Sequence, residues 1–461
     1  MTRMDAPGAP RGSEVSALFG ALDPWLDLAM DPQRAGVALG AALGRSGRPR
    51  SVAILDAKYE AGGASTVLYR LDDRLVVGIA ARPGLDGKPG DARLAGLLVE
   101  SLGLRAFVFP NDPALPNLAS LLDPVGLAGV LTTALPACRD GGRVLRCRAV
   151  VLRYRPLRRC TLRIEAWIRA SRRDIIRITL FAKVYHDARK AASVWQEMGL
   201  LADAGPVRAG RLRVAVAHAF LPEVPMVLQE PVAGTPLDAL IGPLEGSATA
   251  PEPRGVRGLS ATAGALAVLH TAGVAAGRER PAESDLPRML RRAERTATAA
   301  PQLGRRISQV AVELLRTHQQ LPRVTTLVHG DCKPSQFLVG SGPAAVLDFD
   351  HCGMADPASD VGNFTASLAQ LAARQQLKAR GSAASVRRSG WLAELEGAFV
   401  DEYEARGGPG PGLRQRVAWH ETAALLRKAL RAFARSPRSP MPMALADAAA
   451  ARLAAAEGAA P

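Results

Sequence analysis

An α+β fold in three successive stretches is predicted by three observations. Apolar residues alternate with period two in short runs between residues 51 and 232. From about Pro236 onward the pattern turns mostly helical. Two further strands, Thr326–Val328 and Ala344–Phe349, interrupt that helical part and carry acidic residues at or just beyond their ends. The chain has 461 residues, a length that accommodates about three domain-sized units.

The elements follow in order. Residues 1–13 are polar and rich in Pro and Gly, without the apolar core of a signal peptide, and are expected to be a disordered leader. The first stretch, 14–140, is expected to form an N-terminal α/β cap domain. It has strand runs at Ser51–Tyr59, Ser65–Leu71 and Arg74–Ala80, then a helical pattern and the turn-rich Phe109–Pro116. The second stretch, 143–232, is strand-rich, with runs at Leu145–Tyr154, Thr161–Ile168, Ile175–Tyr185 and Val224–Gln229. Between the last two of these runs, Asp187–Ala202 reads as a helix with Asp187 as its N-cap. The third stretch, 233–461, is helical apart from the two strands named above. A faint echo joins the first two stretches, because Tyr59 and Thr66 are spaced like Tyr154 and Thr161. Both segments read as hairpins, and two such units do not make a repeat array.

Composition excludes several classes. Hydrophobic residues are 48% and charged residues 22%, ordinary for a globular chain. The net charge is +16, yet it divides into 52 Arg and only 7 Lys, with the Arg spread along the whole length. Such diffuse Arg reads as compositional bias rather than a nucleic-acid footprint, and 5 Trp, 5 Tyr and 10 Phe supply a stacking platform poorly. The longest uncharged run, Leu259–Gly277, is Ala/Gly/Thr-rich and contains His270, so no membrane partner is expected. Cys138, Cys147, Cys160, Cys332 and Cys352 form no CxxC pair, and read as reduced thiols of a cytoplasmic protein.

Chemistry concentrates in His329-Gly-Asp331-Cys-Lys333-Pro-Ser-Gln336 and, after a short hairpin loop, Asp348-Phe-Asp350. Asp331 and Asp348 are 17 residues apart, and each follows an apolar strand. Two adjacent strands ending at one cleft would set these carboxylates on opposite sides of a bound phosphate. Phosphoryl transfer needs one carboxylate to orient the attacking hydroxyl and hard oxygen ligands to hold Mg²⁺ on the nucleotide phosphates.

With these residues in place the sequence resembles the aminoglycoside phosphotransferase and choline kinase family, over roughly residues 145–435. The resemblance implies a protein-kinase-like two-lobed fold, with 143–232 as a nucleotide-binding N-lobe and 233–461 as a catalytic C-lobe. It further implies ATP and Mg²⁺ as cofactors and a small-molecule hydroxyl acceptor. Asp331 is then the catalytic base or hydroxyl orienter, Asp348 a metal ligand and Asp350 an auxiliary acid in the metal segment. His329 and Asp360 brace the catalytic loop. Gln336 stands where the family usually has a metal-binding Asn. In this it looks like the capped maltokinase-type sugar kinases. Lys333 resembles the catalytic-loop Lys of protein kinases and is placed to contact the transferring phosphoryl group.

In a chain so poor in Lys, Lys183 on a predicted strand stands out as the residue that grips nucleotide phosphates, with Glu197 as its helix partner. No Gly-x-Gly-x-x-Gly is present. Arg158 and Arg159 occupy the hairpin position and carry the charge to hold phosphates. Gln229, Glu230 and Val232 resemble the hinge that reads adenine, and His270 reads as structural. Trp391, Tyr403, Trp419, His420 and Glu421 on the C-terminal helices are expected acceptor contacts. Glu394, Glu396, Asp401, Glu402 and Glu404 would suit a polycationic acceptor, although a solvated helix face has the same pattern. Oligomeric state and acceptor identity stay open, and a nucleotide-binding pseudokinase is the alternative reading.

Overall fold

The computed structural model describes residues 24–44, 47, 49–60, 65–80, 96–139, 141–169, 174–241, 253–379 and 383–458. The leader expected over 1–13 lies outside them. Helices α1 (Pro24–Ala29) and α2 (Pro32–Ala42) come first. Asp31 caps α2 by accepting from the Gln33 and Arg34 N–H groups, with Pro32 at the first position.

Strands β1 (Val52–Lys58), β2 (Thr66–Leu71), β3 (Arg74–Ala80), β4 (Leu97–Val99) and β5 (Leu104–Val108) form one sheet in the order β1-β2-β3-β5-β4, antiparallel throughout. The helical pattern expected between Ala80 and Phe109 is, in its described part, the strand pair β4–β5, which completes this sheet. The run in β3 is almost wholly apolar because both faces of the strand are buried. Val76 and Ala80 pack toward α1 and α2, whereas Val77 and Ile79 pack toward the opposite side.

On that opposite side lie α3 (Leu118–Leu122), α4 (Pro124–Ala134) and α5 (Pro136–Arg139), followed by β6 (Arg143–Arg155), β7 (Arg159–Arg169) and β8 (Ile175–Tyr185). Leu118, Leu121, Leu127 and Leu131 sit between the first sheet and Cys160, Leu162, Ile164, Ala182 and Val184 of the second. One core therefore runs across the chain junction near residue 140. The two echoing segments are both hairpins of like register, with Lys58 opposite Thr66 and Arg153 opposite Thr161.

Asp187 caps α6 (Ala188–Ala202) as expected, its carboxylate accepting from Arg189 N–H at 2.9 Å. The chain continues through α7 (Gly205–Arg208), β9 (Arg213–Val214), β10 (Ala217–Leu221) and β11 (Met226–Gln229). The second sheet has the order β10-β11-β8-β7-β6. In β7 and β8 the residues that alternate with the core set point the other way. Arg159 lies opposite Tyr185 and Thr161 opposite Lys183, which aligns these four side chains on the face turned away from the core.

The helical part contains β12 (Thr235–Pro236), α8 (Leu237–Ile241), α9 (Pro253–His270), α10 (Leu286–Ala299), α11 (Pro301–Thr317) and β13 (Thr326–Val328). It ends with β14 (Phe337–Val339), β15 (Ala345–Val346), β16 (Gly353–Ala355), α12 (Ala358–Ala379), α13 (Ala383–Ala405), α14 (Leu413–Arg435) and α15 (Met441–Gly458). The strand expected over Ala344–Phe349 is shorter, because Asp348 takes a left-handed backbone, φ +67°, and a 3₁₀ turn follows. Helices α10, α11, α14 and α15 bury a second core, which Tyr59 from the end of β1 joins by an edge-to-face contact with Phe433. Among the described residues no helix is long and apolar enough to cross a membrane. The architecture is α+β as predicted, with the N-terminal sheet as an addition to a two-lobed body.

Candidate active site

Strand β13 pairs with β16 and delivers His329-Gly-Asp331 to the cleft. Two buried groups fix this turn. Asp360, at the start of α12, accepts from the His329 N–H and from the Gly330 N–H at 2.8 Å. Its Oδ2 also accepts from His270 Nε2 at 3.1 Å, while His270 Nδ1 accepts from the Tyr403 hydroxyl at 2.6 Å. His329 donates from Nε2 to the Leu347 carbonyl at 2.7 Å and accepts the Asp331 N–H at Nδ1, 3.2 Å. These partners set the tautomer of each ring. Gly330 has φ +76°, and a Cβ there would run into the His351 carbonyl oxygen, so only glycine fits. Asn363 Nδ2 holds the Cys332 carbonyl at 2.7 Å.

Asp331 carries Lys333 on its Oδ2. Burial pushes the Asp331 carboxyl up, but the Lys333 charge and hydrogen bond outweigh it and hold the group below the usual carboxylate range. Asp348 accepts from Lys183 Nζ at 2.6 Å and from Gln336 Nε2 at 3.1 Å, with Arg159 at 3.6 Å. Its carboxyl too is held well below the usual range. Burial opposes this, and the Lys183 and Arg159 charges overcome it.

Asp350 is more enclosed than expected of a metal ligand. It is 3% exposed, and Lys183 and the Tyr185 hydroxyl each donate to its Oδ1 at 2.8 Å. Arg159 pairs with its other oxygen. Asp350 therefore holds three side chains of the β7–β8 face in place and does not stand open to the cleft.

The expected Lys183–Glu197 pair does not form. Lys183 is 8% exposed, and its ammonium bridges the two carboxylates of Asp348 and Asp350 instead. Glu197, buried on α6, accepts from Ser193 Oγ at 2.8 Å, and its Oε2 is buried without a hydrogen-bond partner among the described residues. Arg158 and Arg159 separate by strand phase. Arg159 lies beside Lys183, whereas Arg158 is exposed and uses its carbonyl to receive the His186 N–H.

Gln229 ends β11, and Glu230 and Val232 lie between β11 and β12. Gln229 lies opposite Phe181 and Ala217, Glu230 exchanges bonds with the Val216 backbone, and Val232 packs against the Tyr185 cluster.

The acceptor contacts expected on the C-terminal helices are not where that reading put them. Tyr403 is fully buried against His270, and Trp419 donates from Nε1 to the Leu314 carbonyl at 3.1 Å. His420 faces Asp356 at 3.3 Å, and Glu421 pairs with Arg452 at 3.0 Å. Trp391 packs against the core around α9. Four of the five α13 carboxylates named above are engaged as well: Glu396 with Arg452, Asp401 and Glu404 with Arg414, and Glu402 with Ser260 and Arg406, while Glu394 is exposed. These contacts belong to helix packing and solvated pairs rather than to an acceptor wall.

Sequence reasoning missed three groups. Tyr185 is two residues beyond Lys183 and thus on the same strand face, a signal the period-two pattern contained. Arg155 lies close enough to Asp348 and Asp331 to couple with both charges. Burial, then Arg159 and Arg153, lower its pKa to about 10. Lys428 on α14 is buried with Nζ donating to Ser367 Oγ at 2.9 Å, and burial pulls its pKa down to about 7.

A β-rich lobe and a helical lobe face each other across paired carboxylates and buried cations, an arrangement that defines a small-molecule phosphotransferase of kinase-like fold. A model of the phosphotransferase enzyme family, APH, matches residues 167–419, more than half of the chain, and the chain belongs to that family. It is a phosphotransferase acting on hydroxyl acceptors. Among solved structures, the choline kinase from Cryptosporidium parvum aligns with TM-score 0.47 and 10% identity over 71% of this chain and 95% of that one. The choline kinase LicA from Streptococcus pneumoniae aligns with TM-score 0.45 and 12% identity over 71% and 98%. A glucosamine kinase aligns with TM-score 0.43 and 16% identity over 93% and 98%. No curated protein sequence matches the chain.

Proposed function

We propose that the protein transfers the γ-phosphoryl group of Mg-ATP to a hydroxyl of a small polar molecule. The observation that carries this reading is the pair Asp331 and Asp348. Both are held as carboxylates, and the neighbouring cations, Lys333 on the first and Lys183 with Arg159 on the second, differ. In the proposed division of labour, Asp331 orients the acceptor hydroxyl and receives its proton, and Lys333 meets the transferring group. Lys183, Arg159 and Arg155 hold the nucleotide phosphates, and Asp350 with Tyr185 positions them. Gln229, Glu230 and Val232 border the adenine.

The residues present fit a magnesium ion. Asp348 is a charged oxygen donor at 16% side-chain exposure, and the Gln336 amide oxygen beside it makes no hydrogen bond among the described residues. Among the described residues no cluster of three His, Cys, Asp or Glu forms, which suits an ion that keeps waters and binds largely through phosphates. When bound, Mg²⁺ would neutralise the charge of the phosphates.

Incubation with γ-labelled ATP and a panel of hydroxyl acceptors tests the proposal. Label on an acceptor supports it, whereas nucleotide binding with neither transfer nor hydrolysis favours the pseudokinase. Asp348→Ala should weaken Mg-dependent nucleotide binding by about tenfold or more, since second-sphere and ligand losses cost at least that much. Isothermal titration with and without Mg²⁺ reads this directly, and an unchanged Mg²⁺ dependence would remove Asp348 from the metal role.

A further inference from the structure

Helices α10 and α14 pack side by side and carry a row of cations, as four contacts show. Asp285, just before α10, is shared by Arg288 at 3.3 Å and Arg427 of α14 at 3.8 Å. At the other end Glu60 takes Arg295 of α10 at 3.0 Å, and its neighbour Tyr59 bonds to the Ala434 carbonyl of α14. One helical turn beyond the shared Asp285, Arg292 and Arg431 therefore come abreast. Lys428 joins them through α12. Its Ser367 partner is one turn beyond Asn363, which holds the Cys332 carbonyl next to Asp331. From the N-terminal sheet Lys58 reaches the same rim, 3.6 Å from Glu60.

These cations outnumber the acids between them. Asp285 already serves Arg288 and Arg427, and Glu60 serves Arg295 and Lys58. Arg292 and Arg431 have no carboxylate at ion-pair distance among the described residues, and the hydrogen-bond partner of the buried Lys428 is a neutral hydroxyl. The cluster acts on Asp331, with Arg431 among the charges that depress it, whereas Asp348 feels mainly Lys183 and Arg159. With the Lys428–Ser367 and Asn363–Cys332 contacts, this coupling associates the cluster with Asp331 rather than with Asp348. Lys428 is buried, Arg292 half-buried and Arg431 exposed, and Glu60 offsets Arg292 only in part. Clustered cations repel one another, and an incoming anion relieves that repulsion.

We infer that the acceptor is a small hydroxyl compound bearing a carboxylate or phosphate group, held by Arg431, Arg292 and Lys428 while its hydroxyl faces Asp331. The inference rests on the phosphotransferase reading. In the transfer, the acceptor oxygen forms a bond to the γ-phosphorus and the bond from that phosphorus to the β–γ bridging oxygen breaks. ADP leaves with that electron pair, and the hydroxyl proton passes through Asp331 to solvent. A polycationic acceptor would meet repulsion at this wall.

Matched acceptors test it with the full chain and Mg-ATP: glycerate against glycerol, gluconate against sorbitol, glucose 6-phosphate against glucose, and an aminoglycoside as polycation. ADP release and calorimetric titration into the ADP-loaded protein are the readouts. At least one anionic member should exceed its neutral partner about tenfold or more in kcat/KM or affinity, and the carboxylate and phosphate arms show which anion is used. Arg431→Gln and Arg292→Gln should each raise the acceptor KM about tenfold with nucleotide affinity unmoved, and Arg431→Lys should recover part of the loss. Melting curves confirm that the variants are folded. Equal or better use of neutral or cationic acceptors, no binding by any anionic member, or variants that weaken nucleotide rather than acceptor would each overturn the inference. Wild-type protein that binds no Mg-nucleotide would overturn the phosphotransferase reading itself, and the inference with it; the nucleotide titration tells that failure apart.

Discussion

Asp331→Asn is expected to lower turnover by about 10²–10⁴ while Mg-nucleotide affinity stays within a few fold of wild type. The amide keeps the shape of the side chain but can no longer take the acceptor's proton. It also removes the charge that anchors Lys333, whose ammonium sits on Asp331 Oδ2. Nucleotide affinity is spared because Lys183 and Arg159 are held by Asp348 and Asp350 instead. Steady-state kinetics beside a nucleotide titration separate the two effects. Turnover within threefold of wild type would take the proton-accepting role from Asp331. The pH profile gives an independent check. Asp331 titrates below the ordinary carboxylate value of about 4. It therefore remains a base throughout the neutral and mildly acidic range. The acid limb of kcat/KM belonging to it should fall below that value, with activity lost as pH drops through the depressed pKa.

Much of this site was legible because strand period and motif spacing act locally. The face of Lys183 and the strand-end positions of Asp331 and Asp348 follow from residues whose neighbours in sequence fix their direction, whereas the brace from Asp360 was implied by the family resemblance. The partner of Lys183 was not legible in the same way. A strand face says where an ammonium points but not which of several carboxylates it meets, and Asp348 with Asp350 offers two oxygens where Glu197 offers one. The C-terminal helices misled for another reason. Trp419, His420 and Glu421 are all buried on α14, Trp419 in the helical core and His420 and Glu421 on Asp356 and Arg452, and their sequence pattern does not tell such packing from a ligand wall. Arg292 and Arg431 were invisible among 52 arginines spread evenly through the chain, since only the docking of α10 on α14 brings them together. The +16 charge is spread along the chain, yet where α10 meets α14 the cations outnumber the nearby acids Asp285 and Glu60.

Asp360→Ala should destabilise the fold by about 3–5 kcal/mol, the range expected when one member of a buried charged network is removed. Asp360 is 1% exposed and accepts from the His329 and Gly330 N–H groups and from His270. Alanine leaves these donors buried without an acceptor and frees Tyr403 and His270 from the chain of bonds that ends on the carboxylate. Asp360→Asn retains one acceptor oxygen and should lose less. Burial alone would push the Asp360 carboxyl up, but the hydrogen bond from His270 and the backbone N–H of His329 outweigh it and hold the pKa below the usual value. The sign for stability follows from that direction. The contribution is fully present above the unfolded value near 4 and declines as pH falls through the depressed folded pKa, because the unfolded chain binds the proton first. Urea unfolding at pH 7 and at pH 4 or below should therefore show a wild-type advantage over Asp360→Asn that shrinks in acid. The Ala variant should also lose turnover at 25 °C where it is still folded, since the turn presenting Asp331 is no longer fixed from behind. Wild-type stability and full turnover in Asp360→Ala would mean that the β13–β16 pair and Asn363 hold the catalytic turn without it.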